Sequence, residues 1–203
     1  MVAELWHGAW RGPVLVVLVL VLVHAIAAAN LPAWRYDREA ILAGETWRLV
    51  TGHLVHGDPH HLAWNLLGVL IVGFLFAGAF TRLQWVLVLL ASTAAINLGF
   101  LRLEPQLQWY VGFSGVLHGA MAAGLVSWLR RRGDMLTWTV GGLFFAKLAW
   151  EHFAGALPFT SSSLSLPVVH EAHSYGAVGG VLSGLSINLW KDWRRRRAGP
   201  RSL

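Results

Sequence analysis

Long apolar runs, separated by short polar and glycine-containing stretches, dominate this chain. Six of the runs approach the ~20 residues that a helix needs to cross the ~30 Å hydrocarbon core of a bilayer. The first, almost entirely Val, Leu and Ala, could be taken for a secretory signal, but more spans follow it, so we interpret it as a retained span. The pattern predicts an all-α polytopic membrane protein, with residues 1–203 forming one six-helix domain. The spans are expected near 13–30, 60–80, 84–101, 114–131, 135–154 and 168–190.

The basic residues predict how this bundle lies in the membrane. Most Lys and Arg fall on the side of the six spans that carries both termini, and the run 191–197 directly follows the last span. The positive-inside rule therefore places both termini in the cytoplasm. A basic cluster next to a span also accounts for the pI near 10.8 without any binding of nucleic acid. The opposite side holds only Arg35, Arg38, Arg48 and Arg102.

Composition agrees with a membrane protein and narrows the chemistry. The 203 residues are 56% hydrophobic and 13% charged, whereas a soluble domain has about 25% charged residues. Cysteine is absent, which excludes disulfides, thiolate zinc sites and a cysteine nucleophile. Any catalysis must therefore use Ser, His, Asn, carboxylates or Lys.

The clearest candidate for such chemistry is Ser114, at the outward start of the fourth span. It stands in Gly112-Phe113-Ser114-Gly115, and glycine allows a sharp turn and the close approach of another chain. His173 lies near the outward end of the sixth span. Serine with histidine is the minimum set for nucleophilic catalysis, so the pattern predicts cleavage of a bond in or beside the bilayer.

Small residues at four-residue intervals predict that these two spans pack closely. Gly115, Gly119 and Ala123 follow Ser114, and Gly176, Gly180 and Gly184 follow His173. Such ridges allow helix backbones to approach in a membrane. Docking them would bring the His173 imidazole to the level of Ser114, where it can act as general base and acid.

The second span adds polar groups at its outward start. His61 and Asn65 are four residues apart and share a helix face, from which both can donate hydrogen bonds to a developing oxyanion. Two other interpretations remain open. The pair can serve only to hold helices together, or the histidine-rich segment can bind a metal, although Pro59 opposes a continuous helix through it. The histidines of that segment are His53, His56, His60 and His61.

Taken together, these motifs resemble the rhomboid family of intramembrane serine proteases. The family's second-span pattern of two histidines five apart and then asparagine matches His56, His61 and Asn65. Its Trp-Arg-x-x-Thr element matches 47–51, and its Ala-His-x-x-Gly element matches 172–176. The resemblance covers about residues 45–190.

The resemblance implies a six-helix rhomboid-like bundle with a water-filled, outward-opening cavity around a Ser–His dyad, and no third acid, metal or cofactor. Ser114 would be the nucleophile, His173 the general base and acid, and His61 and Asn65 the oxyanion donors. Lys147 and Glu151, four residues apart in the fifth span, are expected to form a structural ion pair. Accessory roles are expected for His118, Glu171, His56, Gly112 and Gly115, and helix-packing roles for Gly119, Gly176 and Gly180.

Two departures favour the rhombosortase branch of the family. His118 stands where ordinary rhomboids commonly have an aromatic residue that packs on the catalytic histidine, and Glu171 precedes His173 by two residues. Glu171 lies roughly opposite His173 on the helix, which places it poorly for a triad. For His118, packing is favoured over direct chemistry.

Membership of this branch implies a bacterial inner-membrane enzyme that opens to the periplasm. Its substrates would be exported proteins with a C-terminal Gly-Gly motif, a hydrophobic helix and a basic cluster. The acyl-enzyme on Ser114 would be resolved by water or by an amine-bearing lipid headgroup, and the sequence leaves that choice open. The alternatives are an ordinary rhomboid protease that cleaves single-span membrane proteins, a non-catalytic rhomboid-like binding protein, and a metal-dependent membrane enzyme.

Overall fold

Helices form at all six predicted segments in a computed structural model that describes residues 2–157 and 168–197. The fourth and fifth predicted segments coincide with helices α7 and α8, whereas the sixth starts three residues later than predicted and extends through the basic run. The helices are α1 Val2–Ala27, α2 Leu31–Trp34, α3 Arg38–Leu42, α4 Arg48–Thr51, α5 Pro59–Phe76, α6 Arg82–Leu103, α7 Ser114–Arg131, α8 Met135–Ala154 and α9 Glu171–Arg197. A 3₁₀ turn, Ala77–Ala79, follows α5.

Three helices of the described chain have both the length and the apolar composition of a membrane span. Their candidate spans are Trp10–Ala27, Pro59–Ala79 and Arg82–Leu103. Helices α7, α8 and α9 are 18, 20 and 27 residues long, but their glycine, polar and charged residues lower the mean hydropathy. The chain is therefore a helical protein with candidate membrane spans, and the count of six and the side of the termini remain predictions.

Side chains that accept backbone hydrogen bonds fix where three of the long helices begin. Asp58 accepts from the His61 N–H at 2.8 Å, and Pro59 occupies the first turn of α5, where it sacrifices no internal hydrogen bond. Thr81 and Gln84 form a reciprocal capping box at the start of α6. Asp134 caps α8, and its hydrogen bonds from Thr137 hold the pKa of this carboxyl below the usual value.

Glycines bring α7 and α9 into backbone contact. A Cβ on Gly176 or Gly180 would collide with the carbonyl group of Gly115 or Gly119, respectively. On the other side of α9, a Cβ at Gly179 would lie 2.7 Å from the Ala91 oxygen of α6. Helix α9 is thus held between α6 and α7 at a separation that only glycine permits.

The outer faces of the helices are apolar. Leu18 on α1, Leu90 on α6 and Phe145 on α8 are among many large hydrophobic side chains that are more than half exposed. A water-soluble protein rarely exposes such continuous apolar surface, whereas a bilayer covers it.

The segment between α1 and α5 contains structure that the apolar pattern did not predict. Besides α2, α3 and α4, strand β1 (Tyr36–Asp37) pairs antiparallel with β2 (Trp109–Tyr110), which lies just before α7. Arg38 donates to the Phe100 and Leu101 carbonyls at the end of α6. These contacts fasten the first loop to the segment that leads into Ser114.

The backbone contact between α7 and α9 gives a direct test. Gly180→Ala should destabilise the protein by roughly 1–3 kcal/mol, because its methyl group meets the Gly119 carbonyl and the helices must separate. Gly142→Ala in α8 is the matched control, since no atom lies within 4 Å of its added Cβ. Thermal unfolding in detergent measures both. Equal melting temperatures for the two variants would contradict the close packing.

Candidate active site

Ser114 is the first residue of α7 and follows a sharply turned loop. Gly112 has φ +126°, a conformation that strains residues with a side chain. Its N–H donates to the Gly52 carbonyl at 3.0 Å, and its own carbonyl accepts from the Tyr110 hydroxyl at 2.6 Å. Gly115 allows α9 to approach, because a Cβ there would lie 2.8 Å from the Ala172 oxygen. The two glycines thus shape the loop and admit the neighbouring helix.

His173 projects from the first turns of α9 and reaches Ser114. Its Nε2 lies 2.9 Å from the Ser114 Oγ, and the imidazole is 4% exposed. Its other nitrogen, Nδ1, lies 2.9 Å from Glu151 Oε2. A carboxylate only accepts hydrogen bonds, so Nδ1 carries the proton and Nε2 presents its lone pair to the serine hydroxyl. The pair therefore has the geometry that proton transfer from serine requires.

Glu151 makes a contact with the candidate site that the sequence analysis did not predict. The expected ion pair with Lys147 is present, with Nζ 2.7 Å from Oε2, but the same oxygen also accepts from His173. The resemblance implied a dyad with no third acid, and the structure differs because α8 directs Glu151 at the imidazole. One feature of the sequence points to such a contact: a carboxylate in an apolar helix needs strong polar partners.

His118 lies one turn below Ser114 and stacks on His173. The ring centroids are 4.0 Å apart and the planes differ by 17°. His118 Nδ1 donates to the Ser114 carbonyl oxygen at 2.7 Å, which fixes the ring. This stacking restricts rotation of the His173 ring.

His61 and Asn65 line the same cavity as Ser114 and His173, which has a volume of about 750 Å³. A Cβ on Gly112 would lie 2.7 Å from His61 Nε2, so this imidazole stands directly against the turn before the serine. Asn65 is buried and donates one amide hydrogen to the His61 carbonyl at 3.0 Å. The second hydrogen of the same amide takes no part in that bond and can be donated to another acceptor.

The remaining predicted accessory residues lie outside the cavity. His56 is buried with its ring centroid 5.1 Å from that of His61, and neither of its nitrogens has a hydrogen-bond partner among the described residues. Glu171, in the first turn of α9, is partly exposed and lies 3.5 Å from His170. The structure thus places His56 behind His61 and does not bring Glu171 to His173.

One group of side chains in the described ranges has the proximity of metal ligands, and it is the active-site group itself. Ligand atoms of His118, Glu151 and His173 lie within 4.8 Å of one another. The Lys147 ammonium forms an ion pair with the Glu151 carboxylate, and both nitrogens of His173 already have a hydrogen-bond partner. These bonds fit a hydrogen-bonded network better than a cation site. The histidines that raised the metal alternative do not form such a group, and His60 is exposed.

Comparison with known proteins agrees with this geometry. The family model described as "Rhomboid domain" matches residues 43–189. A Bacillus subtilis (strain 168) protein named "Putative rhomboid protease YdcA" is 30% identical over 173 residues, which cover 81% of this chain and 80% of that protein. The matched region contains Ser114, His173, His61 and Asn65. The chain therefore belongs to the rhomboid family of intramembrane proteases.

Proposed function

We propose that this chain is an intramembrane serine endopeptidase with Ser114 as its nucleophile and His173 as its general base and acid. The observation that carries the proposal is the 2.9 Å separation between Ser114 Oγ and His173 Nε2 inside a cavity large enough for a peptide segment. Because the outer faces of the helices are apolar, we also propose that the substrate reaches the site through the bilayer.

The proposed reaction proceeds in two steps. Ser114 Oγ attacks the scissile carbonyl carbon while His173 Nε2 takes the hydroxyl proton, and the imidazolium then protonates the leaving amine. The result is an ester between the new C-terminus and Ser114. In the second step, His173 removes a proton from water or from an attacking amine, which adds to the ester carbonyl carbon. The ester bond to Ser114 Oγ then breaks, the His173 imidazolium returns the proton to that oxygen, and a free or a modified C-terminus is released, respectively.

His61 and Asn65 are the proposed oxyanion donors. Both project into the cavity from one face of α5, and the His61 ring touches the Gly112 turn that precedes the nucleophile. Donors fixed in advance toward the developing charge are usually a large part of catalysis, because no reorganisation is needed during the reaction.

The proposed membrane arrangement has six spans, with both termini in the cytoplasm and the active site opening to the periplasmic side of a bacterial inner membrane. Helix α7 runs for 18 residues from Ser114 to Arg131, a length of about 27 Å. At the far end, Arg130 pairs with Asp192, and Arg131 and Lys191 both donate to the Ala79 carbonyl. The basic cluster and the Ser114–His173 pair thus lie at opposite ends of α7. If the positive-inside rule puts the basic end in the cytoplasm, the pair lies toward the other side of the membrane.

For the substrate, we favour the rhombosortase type, a protein whose C-terminal tail has a Gly-Gly motif, a hydrophobic helix and a basic cluster. Support comes from His118, which occupies the stacking position on His173 that an aromatic residue commonly takes in ordinary rhomboids. Glycine in the substrate also suits a cavity crowded by Trp64, Leu117 and Phe144, because it presents a bare backbone to the nucleophile. The competing substrate is an ordinary single-span membrane protein.

The nucleophile is tested with a fluorophosphonate probe. Ser114→Ala and His173→Ala should each lower the labelling rate by roughly 10⁴-fold or more, because one removes the attacking atom and the other its base. Ser186→Ala is the control, since this exposed serine bonds only the Leu182 carbonyl of its own helix. Undiminished labelling of either active-site variant would exclude the proposed pair.

The oxyanion role is tested by His61→Ala and Asn65→Ala. Each should lower kcat by roughly 10²–10³-fold with a smaller change in KM, since the lost hydrogen bond forms mainly in the transition state. His60→Ala is the matched control, because His60 is next in sequence but exposed and outside the cavity. Cleavage of a fluorogenic peptide in detergent gives both constants. A change confined to KM would indicate a substrate-binding role instead.

The substrate class is tested by co-expression with an exported protein that carries a Gly-Gly tail. We expect wild type, but not Ser114→Ala, to remove the tail, as mass spectrometry of the new C-terminus will show. An unmodified terminus indicates hydrolysis, and an added headgroup indicates transfer to an amine. A tail in which valines replace both glycines is the control. Cleavage of a single-span substrate while the Gly-Gly tail stays intact would favour an ordinary rhomboid protease.

A further inference from the structure

Glu151 has a contact that a structural ion pair does not need. Its carboxylate is 2% exposed in α8, and Oε2 accepts from both Lys147 Nζ at 2.7 Å and His173 Nδ1 at 2.9 Å. The lysine side chain is 29% exposed and faces the cavity. Lys147 by itself balances the charge of the carboxylate, so the ion pair does not account for the second hydrogen bond, from His173.

We infer that Glu151 is a positioning residue for His173, so that Ser114, His173 and Glu151 act as a three-membered array. The inference rests on the proposed serine protease function. It goes beyond that function because it assigns to an ion-pair residue of α8 a part in each proton transfer.

The first consequence of this contact is control of the His173 tautomer. A neutral imidazole carries its proton on either nitrogen, and only the form with a proton on Nδ1 leaves Nε2 free to accept from Ser114. The Glu151 carboxylate, which has no hydrogen to donate, selects that form. The His118 ring on the face of His173 and the carboxylate at its edge then fix both the plane and the direction of the imidazole.

The second consequence concerns the charge that develops during catalysis. When Nε2 takes the serine proton, an imidazolium forms in a buried setting, and the adjacent carboxylate stabilises it without changing its own protonation. Lys147 Nζ lies 3.5 Å from Nδ1, and its positive charge repels the imidazolium. Its favourable contact is therefore the one with Glu151. The lysine holds the carboxylate ionised and in place. Other titratable groups close to His173 are His118 on its ring face, His170 in the preceding loop and His61 across the cavity.

The decisive variant is the double substitution Lys147→Met with Glu151→Met. It removes both charges together, and replacing a buried ion pair by apolar residues of similar size commonly leaves stability unchanged or raised. If the pair is only structural, this variant keeps its activity. If Glu151 positions His173, kcat falls by roughly 10²–10⁴-fold while KM stays within about threefold.

A second readout follows the tautomer without relying on turnover. With ¹⁵N-labelled histidine, the His173 signals are those absent from His173→Ala, and their shifts report which ring nitrogen carries the proton. Wild type should show the proton on Nδ1, and the double variant should show a mixture of both forms. Glu39→Gln is the control carboxylate variant, because Glu39 is exposed on α3, away from the cavity.

The outcomes separate this inference from the proposed function. If Ser114→Ala and His173→Ala abolish labelling but the double variant keeps kcat within tenfold of wild type, or keeps the wild-type tautomer, only the role of Glu151 is wrong. If Glu171→Gln lowers kcat while the double variant does not, Glu171 is the acid instead. If the double variant does not fold, Glu151→Gln, which keeps the side-chain volume, replaces it. A kcat within tenfold of wild type for that variant would again contradict the role of Glu151.

Discussion

The backbone contact between α7 and α9 is the constraint on which the site depends. Gly115 and Gly119 on one helix face Gly176 and Gly180 on the other, and a single methyl group at either facing pair would meet a carbonyl. Ser114 and His173 stand at the same end of these ridges, so the helix separation sets the 2.9 Å between Oγ and Nε2. Precision at the site therefore comes from rigid packing of two helices and not from a loop.

Two arginines tie the site to its surroundings through their hydrogen bonds. Arg38 donates hydrogen bonds to carbonyl groups at the end of α6. Arg48 is buried and donates to the Glu45 carboxylate and to the Pro32 and Arg35 carbonyls. Unpaired, such groups would cost several kcal/mol each in a water-poor setting. The first loop therefore packs at the end of the helices that carries Ser114, where β1 pairs with the strand leading to that residue.

The sequence predicts those features that depend on local pattern. Apolar runs locate the six long helices, and glycine spacing identifies the faces of α7 and α9 that meet, because both signals repeat along one element. The short helices α2 to α4 and the β1–β2 pair escape prediction, since each is stabilised by partners distant in the chain. Glu151 is the instructive case: its i,i+4 partner Lys147 is visible in the sequence, whereas His173 lies 22 residues away and depends on how α8 packs.

Glu151 is held in place by contacts of α8, and these differ from the backbone contacts that hold Ser114 and His173. Gly141 and Gly142 leave open space along α8, with only Leu125 at 3.8 Å from a Cβ at Gly141, whereas the glycines of α9 touch backbone. The Glu151–His173 hydrogen bond joins α8 to α9, whereas the Lys147–Glu151 pair lies within α8 itself. A displacement of α8 away from α9 would lengthen that hydrogen bond while α7 and α9 kept Ser114 and His173 together. The serine–histidine distance and the orientation of the imidazole are consequently set by two separate helix contacts.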